Sequence, residues 1–133
     1  MKVYTKTLQV TEADLDDLDH VNNVVYVQWI QDISKEHWQT VASEALKNEV
    51  IWVVSNHNIT YKSAAKLHDV IEIKTFISDT KGPLSVRMVQ MFLKESGVLL
   101  LEAKTKWCML NTQTLKPTRI SKDIEEIFVQ SNS

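Results

Sequence analysis

Five carboxylates crowd one short stretch of this chain, Glu12, Asp14, Asp16, Asp17 and Asp19, and His20, Asn22 and Asn23 follow at once. An aspartate can take a proton from water or attack an electrophilic carbon itself, and an imidazole titrates near neutrality, so the stretch holds the parts of acid–base or nucleophilic chemistry. The plainer reading is capping, in which carboxylates ahead of a helix serve its free N–H groups and its dipole. Either reading needs a helix to begin directly afterwards.

From about Asn22 the period changes. Tyr26, Ile30, Ile33, His37 and Val41 recur at steps of four, three, four and four, joined by Trp29 and Trp38. This is one apolar helical stripe, with Gln28, Gln31, Asp32, Lys35 and Gln39 on the wet side. The pattern predicts one helix that ends near Lys47 or Asn48. Ahead of it, Val3 to Val10 are rich in β-formers and read as a strand, without clean alternation.

Four stretches with a period of two follow the helix: Ile51 to Lys62, Val70 to Ser78, Leu84 to Leu93, and Leu99 to about Asn111. In the first, Val53, His57, Ile59 and Tyr61 share one face and Trp52, Val54, Asn56 and Thr60 the other. Lys81-Gly82-Pro83 and Glu95-Ser96-Gly97 are turn signals, Lys116-Pro117-Thr118 is a loop, and Ser121 can cap a short last helix through Phe128. This order predicts an α+β fold, an antiparallel β-sheet of about five strands wrapped around one long central α-helix. Several strands are apolar on both sides, so a second subunit is expected to cover the outer face or a sheet edge.

Asp14-Leu15-Asp16, His20-Val21-Asn22-Asn23-Val24 and Tyr26-x-x-Trp29 resemble the opening segment of the hotdog thioesterases, the superfamily of 4-hydroxybenzoyl-CoA and acyl-CoA thioesterases. They are especially similar to the acyl-acyl-carrier-protein thioesterases. Tyr61 to Asp69 is similar to a second family segment, more loosely. The element order is similar over roughly the whole chain, which implies a single hotdog domain over residues 1–133. Three departures stand out: Asp19 replaces a common glycine, Ala64 and His68 replace a proline and a glycine, and Leu18 replaces the catalytic asparagine of the carrier-protein enzymes.

The resemblance implies hydrolysis of an acyl-CoA thioester to a free acid and coenzyme A, with Asp16, His20 and Asn23 as catalytic residues. Asp16 is then the base or the nucleophile, and His20 and Asn23 orient it or the thioester; His20 is also a rival base. Free amides near Asn22 to Val24, at the positive end of the helix dipole, would polarise the carbonyl, which puts Asn22, Val24 and Tyr26 beside the substrate. Lys62, Lys66, His68 and Arg87 are the basic groups that could grip coenzyme A phosphates across the interface of a homodimer or homotetramer. The rival functions are hydrolysis of acyl-carrier-protein thioesters, dehydration of a hydroxyacyl thioester, and non-catalytic acyl-CoA binding.

Composition narrows the field. A chain of 133 residues with 44% hydrophobic content can build a core without disulfides or metal. Its formal charge of -2 offers no global field for nucleic acid or anionic lipid. Cys108 is the only cysteine, which excludes an internal disulfide and fits a reducing compartment, so the cytoplasm is the expected location. No apolar run is long enough for a signal peptide or a membrane span. Neither a metal-ligand spacing nor a glycine-rich phosphate loop is present, so no metal and no cofactor is expected. His37 and His57 read as core histidines that find partners, and Trp29, Trp38, Trp52 and Trp107 as core or interface.

Overall fold

The apolar stripe is the buried face of a helix, α1 (Asn23–Val41), in a computed structural model that describes residues 2–129. Tyr26, Ile30, Ile33 and His37 on that face are each no more than 2% exposed. A strand, β1 (Tyr4–Gln9), and a short 3-10 turn (Glu12–Asp14) precede the helix. After it come α2 (Glu44–Glu49), β2 (Val50–Tyr61), β3 (Val70–Lys81), β4 (Leu84–Leu93), β5 (Leu99–Asn111) and α3 (Lys122–Val129). The five strands form one antiparallel sheet in the order β1-β3-β4-β5-β2, which is the expected α+β arrangement.

Two expectations are corrected. The helix does not run on to Lys47: it stops at Val41, because Ala42 is extended and Ser43 caps a new helix by accepting the Leu46 N–H at 3.2 Å. A serine oxygen that satisfies a free amide starts a fresh helix in a new direction. In β2 the faces switch part-way, since the register with β5 shifts between Val54 and Asn56. The extra residue of this bulge reverses the alternation. Trp52 and Val54 therefore share the inner face with His57, Ile59 and Tyr61, opposite buried Met109, Trp107, Thr105, Ala103 and Leu101, and Val53 points outward.

The core divides along α1. Around the first turns, Tyr26, Ile30 and Ile33 pack with Val10, Val21, Ala65, Ile71 and Met91; around the last, Trp38 packs with Val50, Met109, Ile124 and Phe128. Burying these stripes is what fixes the helix against the sheet, at roughly 1.5–3 kcal/mol for each large side chain. Helix α3 is capped as expected, with Ser121 Oγ accepting the Ile124 N–H at 3.2 Å.

Between the two core halves lies a buried polar cluster. The Arg87 side chain, 4% exposed, donates from Nη1 to His37 Nδ1 at 2.9 Å and to Thr75 Oγ1 at 3.0 Å. A guanidinium has only donors, so His37 accepts and is neutral at Nδ1. Burial, together with the Arg87 charge, holds His37 down at about 3. Its Nε2 and both ring nitrogens of His57 have no partner among the described residues, so the expectation of partnered core histidines holds only for His37 Nδ1.

The His37 shift has a sign. An unfolded histidine protonates near pH 6.5, whereas folded His37 resists to about 3, so stability is full above 6.5 and is lost as pH falls through that window. The slope is at most about 1.4 kcal/mol per pH unit for one group. Urea unfolding between pH 7 and pH 5, where most carboxylates stay ionised, should show the midpoint falling with pH. His37→Gln should flatten that dependence, whatever it does to the midpoint itself.

Candidate active site

Asp16 is tied to its own turn. Its N–H donates to His20 O at 2.7 Å, its carbonyl accepts the Asp19 N–H at 3.1 Å, and Leu15 pairs with Val21 as a one-residue antiparallel bridge. The Asp16 carboxylate closes the same turn: Oδ1 accepts the Leu18 N–H at 2.9 Å and the His20 N–H at 3.1 Å. Its other oxygen has no hydrogen-bond partner among the described residues. One carboxylate oxygen is thus fixed by main-chain donors and the other is available.

This turn needs a left-handed residue, and Asp19 supplies it at φ 59. His68 does the same at φ 72. Both replaced glycines therefore fall where glycine is the default, and aspartate and histidine are among the side chains that tolerate the conformation.

The helix start is sewn to the turn. Asn22 donates its N–H to Asp14 O at 2.9 Å, and its side-chain Oδ1 accepts the Val24 N–H at 2.9 Å. Asp14 spends its carboxylate on Thr11, accepting from N at 2.8 Å and from Oγ1 at 3.1 Å. The expected run of free amides from Asn22 to Val24 is narrower than supposed: both end members are satisfied, which leaves the Asn23 N–H without an acceptor among the described residues. A helix N-terminus with one unmatched donor can receive one carbonyl oxygen.

The loop between β2 and β3 packs on this segment, so the two motif stretches meet in space. Val21 N–H donates to Ala65 O at 3.0 Å, and His20 bridges to Lys66. The Tyr26 hydroxyl accepts the Ala65 N–H at 3.0 Å, and burial pushes that hydroxyl above its ordinary range. Glu12, Leu15, Asp16, Asp19, Lys66 and Leu67 line an open depression of about 520 Å³.

The sequence-derived residues divide accordingly. Asp16, His20, Asn22, Asn23, Val24 and Lys66 come together at the turn and the helix start. Lys62 and His68 are exposed on the same loop as Lys66. Tyr26 is buried at 2% exposure, so it braces the loop from below and does not reach a substrate. Arg87 is corrected outright: it sits on the inner face of β4 at 4% exposure, bonded to His37 and Thr75, and is not among the residues of the Asp16 depression or of the loop that carries Lys62, Lys66 and His68. The inward alternation of β4 put it there. Leu67, which the residue pattern did not single out, lines the depression with Glu12 of the acidic stretch; its only signal was adjacency to Lys66 and His68.

Comparison with known proteins supplies the family and the fold. The family model described as the acyl-ACP thioesterase N-terminal domain matches residues 1–128. This chain belongs to that family. The long-chain acyl-CoA thioesterase FadM of Escherichia coli (strain K12) is 21% identical over 131 residues, covering 92% of this chain and 95% of that protein. The chloroplastic acyl-[acyl-carrier-protein] hydrolase FATB3 of Cuphea viscosissima is 27% identical over 86 residues, which are 65% of this chain and 21% of that much longer protein. Among solved structures, Slr0204, a 1,4-dihydroxy-2-naphthoyl-CoA thioesterase from Synechocystis, superposes with a TM-score of 0.84 at 15% identity, covering 99% of each chain. The fold is the hotdog fold, and the chain is a thioester hydrolase.

In this thioesterase the Tyr26 strut is testable without activity. Tyr26→Phe leaves the Ala65 N–H unmatched at a buried site and should cost about 1–3 kcal/mol in urea unfolding. The Ala65 amide should also exchange faster with solvent. Unchanged stability and protection would remove Tyr26 from the support of the site.

Proposed function

We propose that this chain hydrolyses acyl-CoA thioesters to a free carboxylic acid and coenzyme A. The thioester carbonyl oxygen docks on the Asn23 N–H, where the α1 dipole adds to its polarisation. Asp16 takes a proton from water, the hydroxide adds to the carbonyl carbon, and the tetrahedral oxyanion is held by the same amide. Collapse breaks the C–S bond, and the carboxylic acid of Asp16 returns its proton to the departing thiolate. In the nucleophilic variant the carboxylate attacks the carbonyl carbon directly and expels the thiolate, and water then hydrolyses the mixed anhydride to the free acid and the Asp16 carboxylate, the water's second proton going to the thiolate.

The observation that carries this reading is that one Asp16 carboxylate oxygen and the Asn23 N–H, seven residues apart along one pinned segment, both lack partners among the described residues. His20, beside Asp16 in the same turn, orients the carboxylate or serves as the base in its place. Lys62, Lys66 and His68 are the groups we assign to the coenzyme phosphates, on an exposed loop where such anions could reach them.

Two features favour a homodimer or homotetramer of single hotdog domains in the cytoplasm. Strand β2 is a sheet edge of 12 residues with Ile51, Val53, Val54 and Tyr61 each more than a third exposed, an open template for a second copy. The Asp16 depression is open to solvent, and a neighbour would close it. No helix among the described residues is long and apolar enough to cross a membrane, and Cys108 is free.

An acyl-carrier-protein thioester is the second reading, favoured by the family match over residues 1–128. Release of thiol from a panel of acyl-CoAs and from matched acyl-carrier-protein donors separates the two. On the preferred donor, Asp16→Asn should lose at least tenfold in kcat with the fold intact, and the protein should sediment as a dimer or larger. An Asp16→Asn enzyme with unchanged turnover rejects the mechanism.

A further inference from the structure

A second hollow, of about 410 Å³, opens at the other end of α1 and takes no part in the hydrolysis described above. Ser34, on its wall, lies eleven residues beyond Asn23, so roughly 17 Å of helix separates it from the start of α1. Trp38, Trp52, Trp107 and Phe128 give it aromatic walls. Trp38 meets Trp52 edge-on, with ring centroids 5.6 Å apart, and stacks on Phe128 at 5.9 Å.

Its charge is one-sided. Arg87, Lys35 and Lys47 line it, and no aspartate or glutamate does. Among the described residues the one carboxylate paired with any of these cations is Glu44, on Lys47, and its side chain is 86% exposed, so it neutralises little. Arg87 is the deepest of the three, at 4% exposure, and its two hydrogen-bond partners, His37 and Thr75, are neutral. Trp52 adds a buried Nε1–H that finds no acceptor among the described residues. Buried cations are normally matched by an anion, and buried donors by acceptors. Here Arg87 and Trp52 line one apolar space that has no carboxylate on its wall, and Trp52 Nε1 has no acceptor among the described residues.

We propose that this hollow is a binding site for an amphipathic monocarboxylate, its carboxylate on Arg87 and its apolar body against Trp38, Trp52 and Phe128. A guanidinium fork matches a carboxylate in two parallel hydrogen bonds, which no alcohol or amine can make. The hollow's volume falls within the usual span of small-molecule sites. Occupancy needs no turnover, so the proposal stands or falls independently of the hydrolase reading.

The test uses the full-length protein with octanoate and 2-naphthoate, followed by calorimetry and by tryptophan fluorescence. Both acids should bind saturably, with octan-1-ol, which keeps the body and drops the charge, at least tenfold weaker. Arg87→Gln should weaken octanoate at least tenfold. Should that variant fail to fold, Trp52→Phe decides: it keeps an aromatic, if smaller, ring, deletes the N–H and should weaken octanoate severalfold. Asp16→Asn should bind octanoate as the wild type does, which separates this hollow from the hydrolytic turn. Equal affinity for octanoate and octan-1-ol, absence of saturation, wild-type binding by a folded Arg87→Gln or by Trp52→Phe, or loss of binding in Asp16→Asn would each overturn the assignment.

Discussion

The segment from Asp14 to Asn22 is caught between two partners, and the site depends on that capture. On one side the Asn22 N–H reaches back to Asp14 O at 2.9 Å; on the other the Val21 N–H crosses to Ala65 O at 3.0 Å. The start of α1 and the turn that carries Asp16 therefore move as one piece. A carboxylate already tied through one oxygen to two backbone amides has little further freedom to lose, which is how position would make the proposed general base effective. The buried stripe of α1 supplies the rigidity behind it, since Tyr26 and Ile30 lie directly under that segment in the first half of the core.

The two ends of α1 carry different chemistry. At its start, the Asn23 N–H has no acceptor among the described residues, which suits the proposed substrate with its electrophilic carbonyl. Towards its end, Arg87 and His37 form a buried donor–acceptor pair against Phe128, with the guanidinium 5.7 Å from the ring centroid. A charged group in a core is costly unless matched. Burial draws the Arg87 guanidinium down to about 9, which still leaves it charged at neutral pH.

Much of the fold was legible because periodicity reports burial directly. The stripe Tyr26, Ile30, Ile33, His37 and the alternation of β3 to β5 needed only one side of each element to be dry. What escaped were local interruptions: Ser43 restarting a helix, and the extra residue in β2 that turns Val53 outward while Trp52 and Val54 stay in. A cap and a bulge each depend on one hydrogen bond or one register shift, which no average over a window can register. The site was legible as a segment but not as an arrangement. Asp16 is distinguished from Asp14, Asp17 and Asp19 by which backbone amides it meets, and Asn23 from Asn22 by which N–H is already taken. Arg87 was misplaced because its charge was weighed above the strand phase that carries it inward.

The central claim is that one main-chain donor, the Asn23 N–H, receives the thioester oxygen beside Asp16. Replacing residue 23 by the matching α-hydroxy acid exchanges that single N–H for an ester oxygen and leaves every side chain in place. Single-turnover hydrolysis of an acyl-CoA by this protein, with folding verified by circular dichroism, is the most direct measurement. The expected result is a loss of about 10²–10³ in the chemical step, the usual cost of deleting one oxyanion donor. A rate equal to that of the unmodified protein would contradict the assignment.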